Sequence, residues 1–249
     1  MIDSHCHLAD KAFDNDRDAV IVRAFDAGIS RMVTIADSLP EAEKCVSIAA
    51  ADARISFTVG VHPHHAKDWK NGDAATMKTL LEGAVAVGEI GLDYHYDFSP
   101  RDAQKKVFRE QLLIAKELGL PTVVHCREAI ADVRAIIEEV DAGPFVVHCC
   151  TEKWSDVEWV LERGSLLSFT GIATFPKSTD ILETVRNCPI GSMMVETDAP
   201  YLAPIPHRGT RCEPAFVVDT ARFIAREKGV SLEQFEHVVD ATTRAFFGF

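Results

Sequence analysis

Residues 121–126 read PTVVHC, a proline, three β-branched residues, then a histidine and a cysteine. A run this short and apolar suits a buried strand, since β-branched side chains favour the extended chain and a helix needs more length. The same form recurs as MIDSHCH (1–7), RMVTIA (31–36), ISFTVG (55–60), AVAVGEIG (84–91), FVVHCC (145–150), SLLSFTG (165–171) and MMVET (193–197). Together these make about eight candidate strands, the number a (β/α)8 TIM barrel requires. Stretches with helical apolar spacing separate them, and strands alternating with helices imply a parallel sheet.

The best-marked helix follows YDFSP. Ser99 suits the N-cap, Pro100 the first helical position and Asp102 the third, while Gly119 closes the far end. Its apolar residues Val107, Phe108, Leu112, Ala115 and Leu118 fall on one face. The last helix opens with Ser231 and Gln234 in capping-box spacing. No linker, low-complexity tract or internal repeat interrupts the pattern, so one α/β domain over residues 1–249 is expected. A doubly wound sheet is the rival architecture, but no glycine-rich turn follows the first strand.

The chain has 249 residues, 47% hydrophobic and 26% charged, with mean hydropathy +0.01 and net charge −12. That is the composition of an ordinary globular protein. The acidic balance argues against a broad basic nucleic-acid surface, yet bound cations can reverse the local sign inside an acidic protein. No basic-then-apolar leader and no long apolar run is present, so a soluble cytoplasmic protein is expected. The seven cysteines are scattered without a CxxC pair, which fits reduced thiols rather than a disulfide framework.

Alternation along a strand points His5 and His7 to one face and Cys6 to the other. A lone HxH is weak evidence for a metal. The other strands add to it: Glu89 ends the fourth, His125 the fifth, His148 the sixth and Asp198 the eighth. Charges rarely go inside unpaired, so these six residues at corresponding places form one constellation. Four imidazoles with two carboxylates suit one or two ions such as zinc, manganese or iron better than calcium, which prefers oxygen. Cys6, Cys126 and Cys149 fall on the opposite face by the same alternation and read as small buried hydrophobes.

In this order, DSHCHL, GVHPHHA, GEIGLDYHYD, the long segment 101–129, VVHCC, SFTGI and ETDAPYL resemble the TatD family of metal-dependent hydrolases. GEIGLD and ETDAPYL are the most specific of these motifs. The resemblance implies a TIM barrel with a dinuclear centre, His5, His7 and Asp198 on one ion, His125 and His148 on the other, and Glu89 bridging them. It also implies a TatD-type deoxyribonuclease, a 3′ to 5′ exonuclease using two divalent metal ions (Mg, Mn or Zn). The expected partner is DNA, single-stranded or at 3′ ends, with no membrane and a monomer or weak oligomer. The chain departs from the family pattern at Cys212 and Thr243, where asparagine is usual, and in HCCTEKW after the sixth strand.

In a site of that kind, ions about 3.5 to 4 Å apart lower the pKa of a water and align it for in-line attack. Glu89 and Asp198 are the catalytic candidates, Glu89 holding the ions and Asp198 accepting the proton. His62 and His64 after the third strand, Arg208 after the eighth, and Glu196 are the substrate-binding candidates, with Arg211 and the weaker His207 beside Arg208. Each has a plainer reading as a loop residue, or for Glu196 as a hydrogen-bonding support. Metal barrels also host carbonyl chemistry, so an aminoacyl-tRNA deacylase or a small-molecule amidohydrolase is the alternative activity. A non-catalytic binding barrel is disfavoured by the complete ligand set.

Overall fold

The structure, a computed structural model, describes residues 1–249. Its first half contains β1 (Ile2–Cys6), α1 (Arg17–Asp26), β2 (Arg31–Thr34), α2 (Leu39–Ala51), β3 (Ile55–Val59), α3 (Asp73–Leu80), β4 (Ala86–Asp93) and α4 (Arg101–Leu118). Then come β5 (Thr122–Arg127), α5 (Ile130–Val140), β6 (Phe145–Val147), α6 (Trp154–Glu162), β7 (Leu166–Phe169), α7 (Thr179–Asn187), β8 (Met193–Val195), α8 (Val217–Glu227) and α9 (Leu232–Phe247). The strands follow one another in chain order in an eight-stranded sheet. Every strand segment expected from the sequence forms one, each followed by a helix, which is the (β/α)8 arrangement. No helix is long and apolar enough to cross a membrane.

The chain divides into two compact units, residues 1–34 with 149–249, and residues 35–148. In the first, β1 runs parallel to β2 with Ile2 opposite Arg31, and β7 parallel to β8 with Leu167 opposite Met193. Ile2, Met32, Phe13, Phe169 and Phe235 are fully buried there. The Ile2 N–H donates to Asp240 Oδ1 at 2.9 Å and the terminal amine pairs with Glu236, fixing β1 to α9. Helix α9 begins with the expected capping box, Ser231 and Gln234 bonding reciprocally.

In the second unit β3, β4, β5 and β6 pair in order, all parallel. Gly91 lies opposite His125, and a Cβ there would collide with the His125 carbonyl oxygen. Only glycine lets β4 pass this close to β5, and its φ of 145° is one a side chain would resist. Helix α4 starts one residue later than its sequence suggests, with Pro100 at the N-cap. The Ser99 hydroxyl instead donates to the His64 carbonyl at 2.8 Å and accepts from the Lys67 N–H at 3.1 Å, tying down the 62–68 turn. Val107, Phe108, Leu112 and Ala115 are buried as expected, but Leu118, on the last turn, is 43% exposed. Gly119 closes the helix in the left-handed conformation.

Candidate metal centre

In the first unit, His5 lies within β1 and His7 just past its end. Their rings converge, with Nε2 atoms 3.2 Å apart. Asp198 lies three residues beyond β8 with a φ of 57°, where strand alternation no longer fixes its direction. Backbone bonds place it instead. The Asp198 N–H donates to the His5 carbonyl at 2.9 Å and the His7 N–H to the Ala199 carbonyl at 2.7 Å. Asp198 Oδ1 then stands 3.2 Å from His7 Nε2 and 3.6 Å from His5 Nε2. The turn is locked by Asp3, buried on the same face of β1, which accepts from the Thr197 N–H at 2.9 Å and hydroxyl at 2.6 Å.

Glu196 is 1% exposed. Its carboxylate accepts from the Ser168 hydroxyl at 2.7 Å, the Cys149 N–H at 2.7 Å and the Ser4 hydroxyl at 3.4 Å. These bonds make it a brace across β1, β7 and the turn after β6. Cys149 lies in that turn with a φ of 45°, because β6 ends at Val147. The alternation invoked for Cys149 therefore does not hold, whereas Cys6 in β1 does point into the core, its thiol 3.5 Å from the Val33 carbonyl. Burial and the nearby Asp198 and Glu196 carboxylates push the Cys149 thiol well up.

In the second unit the buried Glu89 carboxylate is the centre. Its Oε1 stands 2.7 Å from His148 Nε2, 2.8 Å from His125 Nδ1 and 3.4 Å from His62 Nε2. Glu89 lies in the middle of β4 rather than at its end, which is Asp93. Two residues apart along a strand share a face, so Glu89, Gly91 and Asp93 line up, and Asp93 meets the other side of the same group. Its Oδ2 is 3.2 Å from His125 Nε2 and 2.9 Å from His64 Nε2. Sequence reading passed over Asp93, though the alternation that selected His5 and His7 would have found it.

Charge within this group is set by competition. Burial pushes Glu89 up, but attraction to His148 and His62 and bonds from His125 and His148 outweigh it and hold the carboxylate well down. Burial lowers His62 to about 4, so its ring is neutral, as a metal ligand must be. Burial also lowers His125, yet bonds to Asp93 and Glu89 prevail and raise it.

The donor sets fit a divalent ion. His62, Glu89 and His125 offer ligand atoms that all lie within 4.8 Å of one another. Nitrogen and oxygen donors held about 2.1 Å from a tetrahedral ion lie roughly 3.4 Å apart, and the His5–His7 pair at 3.2 Å and the His125–His148 pair at 3.4 Å match that spacing.

The loop arginines divide. Arg208 is exposed with its guanidinium 4.4 Å from the Phe175 ring centre. Arg211 is consumed internally: both terminal nitrogens bond Asp16, at 2.8 and 2.7 Å, and one also reaches Glu213 at 3.1 Å. His207 stacks on Phe216 at 3.8 Å and bonds Asp219 at 2.9 Å. Cys212 is buried, with its thiol 4.0 Å from the Thr197 carbonyl.

A parallel (β/α)8 fold carrying histidine and carboxylate clusters on its strands and the turns after them is the layout of a metal-dependent hydrolase. The TatD related DNase family model matches residues 2–248, and the chain belongs to that family. It is 35% identical over 251 residues, 99% of this chain and 98% of the relative, to the uncharacterized metal-dependent hydrolase YabD of Bacillus subtilis (strain 168). It is 34% identical to the 3′-5′ ssDNA/RNA exonuclease TatD of Enterobacter lignolyticus (strain SCF1), covering 100% of this chain and 99% of the relative. Among solved structures, YJJV, a TatD homolog from Escherichia coli K12, superposes with a TM-score of 0.94 at 23% identity, covering 100% of this chain and 98% of that one. That likeness establishes the TIM-barrel fold.

Proposed function

We propose that this protein is a divalent-metal-dependent exonuclease that hydrolyses phosphodiester bonds of single-stranded nucleic acid from the 3′ end. The observation that carries the reading is the convergence of His62, His125 and His148 on one oxygen of the buried, ionised Glu89. A carboxylate so placed has no need of three imidazoles for folding alone, and family membership supplies the reaction class.

In this reading His125, His148 and Glu89 would hold one ion, with His62 adjacent, and His5, His7 and Asp198 would hold a second. When bound, such ions would supply Lewis acidity toward the phosphoryl oxygen and a nucleophile at neutral pH. Asp93 fixes the tautomer and orientation of His125 from its far side, as carboxylates behind ligating histidines do. Glu196 holds the Cys149 turn that follows His148, and its contacts suit support rather than substrate binding. Asp198, 14% exposed at its side chain, accepts the proton of the attacking water. His64 and Arg208 are the candidate phosphate contacts in this reading. The reading takes residues 1–249 as one catalytic domain, with DNA as substrate.

The test is end-labelled single-stranded DNA incubated with the manganese-loaded protein. Mononucleotides released from the 3′ end, with activity reduced about a thousandfold in Glu89→Gln, are expected, since several kcal/mol of transition-state stabilisation are lost. Full activity in that variant, or cleavage of aminoacyl esters instead of DNA, would overturn the reading.

A further inference from the structure

Two aromatic rings stand out in the loop between β4 and α4. Tyr96 is 48% and Phe98 55% exposed, among the most exposed large apolar side chains of the chain. They stack on each other, centroids 5.2 Å apart and planes 16° off parallel. The Arg127 guanidinium lies over the Tyr96 ring at 4.7 Å. The edge of His64 meets Phe98 at 4.7 Å and Tyr96 at 5.6 Å. Through His64 the pair is contiguous with the candidate centre, because His64 and His125 share Asp93 Oδ2.

The loop is held, not loose. Asp93 Oδ1 accepts from the backbone N–H groups of His95 at 3.0 Å and Tyr96 at 2.9 Å, and Lys67 donates to the Phe98 carbonyl at 3.0 Å. The carboxylates nearest the rings are already matched, Asp97 by Arg101 and Glu128 by His95. What remains on offer is a fixed apolar face with a cation beside it. Aromatic faces paired with arginine are how proteins hold unpaired bases without selecting their identity.

We infer that Tyr96 and Phe98 form a stacking step for one unpaired base of the nucleic-acid substrate, with Arg127 backing the Tyr96 ring. The inference rests on the exonuclease reading above. The 5.2 Å spacing is too narrow for a base to enter between the rings. The base lies on the outer face of the pair, and Phe98, the more exposed ring, receives it. The step is sequence-tolerant, because every base has a π face.

The test uses the full-length, manganese-loaded protein and single-stranded DNA in which an abasic residue replaces each nucleotide near the 3′ end in turn. At one position the missing base raises KM about tenfold for the wild-type protein, the effect of losing one stacked base. In Tyr96→Ala/Phe98→Ala, KM for intact DNA rises by a similar factor and the abasic penalty at that position falls below about twofold. Tyr96→Phe and Phe98→Tyr, which keep the rings, retain the penalty. Phe98→Leu, which keeps apolar bulk without the π face, loses most of it and serves if the double variant does not fold. A penalty unchanged in the alanine and leucine variants, or absent at every position in the wild type, overturns the stacking step while leaving the nuclease reading standing. Wild-type protein that hydrolyses no oligonucleotide overturns the nuclease reading itself, and the stacking step with it.

Discussion

His125 is held between two carboxylates, Glu89 Oε1 at 2.8 Å from Nδ1 and Asp93 Oδ2 at 3.2 Å from Nε2. One ring nitrogen faces the group that gathers the other histidines; the other is committed to a buried anchor. An imidazole whose far N–H donates to a carboxylate is fixed in tautomer and made more basic toward a metal. Asp93→Asn keeps the shape of the anchor but removes its charge. Metal affinity is expected to fall about 10- to 100-fold, read by competition titration with a chromophoric chelator. An unchanged affinity would show that Asp93 serves His64 and the 94–96 loop rather than the metal.

Bound ions stabilise the folded chain alone, because the ligands come from distant parts of the sequence and do not converge when unfolded. Dialysis against a chelator is therefore expected to lower Tm. At a free metal concentration about 100 times Kd the linkage is worth about 2.7 kcal/mol, which corresponds to roughly 5–10 °C for a chain of this size. Calorimetry with and without added Mn2+ or Zn2+ measures it. A Tm indifferent to both chelator and added metal would remove the two clusters as metal sites.

The eight strands were legible because short β-branched runs alternating with helical stretches have few other folds open to them. His5 and His125 were legible because they lie within strands, where alternation fixes a side chain's direction. Cys149 was misjudged because it lies beyond its strand in left-handed backbone, where periodicity carries no information. Ser99 and Arg211 show a second limit. A serine before a proline and an arginine in a loop have several uses, and the choice depends on partners distant in sequence, the 62–68 turn for one and Asp16 for the other. Asp93 falls between: its face was predictable, its partner was not.

The buried cysteines are predicted to be chemically silent in the native protein. Burial pushes both Cys150 and Cys188 up to about 12, the Lys228 amine only partly offsetting this at Cys188. The thiolate is the nucleophile, so at pH 8 only about one thiol in ten thousand is ionised at each site. Native protein is expected to alkylate with iodoacetamide far more slowly than protein in denaturant, as followed by mass spectrometry of the 150 and 188 peptides. Equal rates in the two states would mean that these helix and turn regions open readily.

Arg211 ties the loop after β8 to the start of α1. Its bidentate bond to Asp16 and its contact with Glu213 lie beside a second fork, Arg23 on Glu213 at 2.8 Å through both nitrogens. The Arg211 guanidinium, aided by Arg23, holds Asp16 down to about 2. A carboxylate whose folded pKa is depressed contributes stability that is complete above its unfolded value near 4 and vanishes as pH falls through the folded value. Arg211→Ala is therefore expected to lower Tm by a few degrees at pH 7, the magnitude kept small by solvent screening of a half-exposed pair. The gap between variant and wild type should narrow between pH 4 and about 2, as Asp16 takes up its proton in both proteins. Thermal melts across that range decide the matter: a gap that stays constant down to pH 2 would mean that Arg211 stabilises the loop through its packing over Phe13, 4.7 Å from the ring centre, and not through its charge.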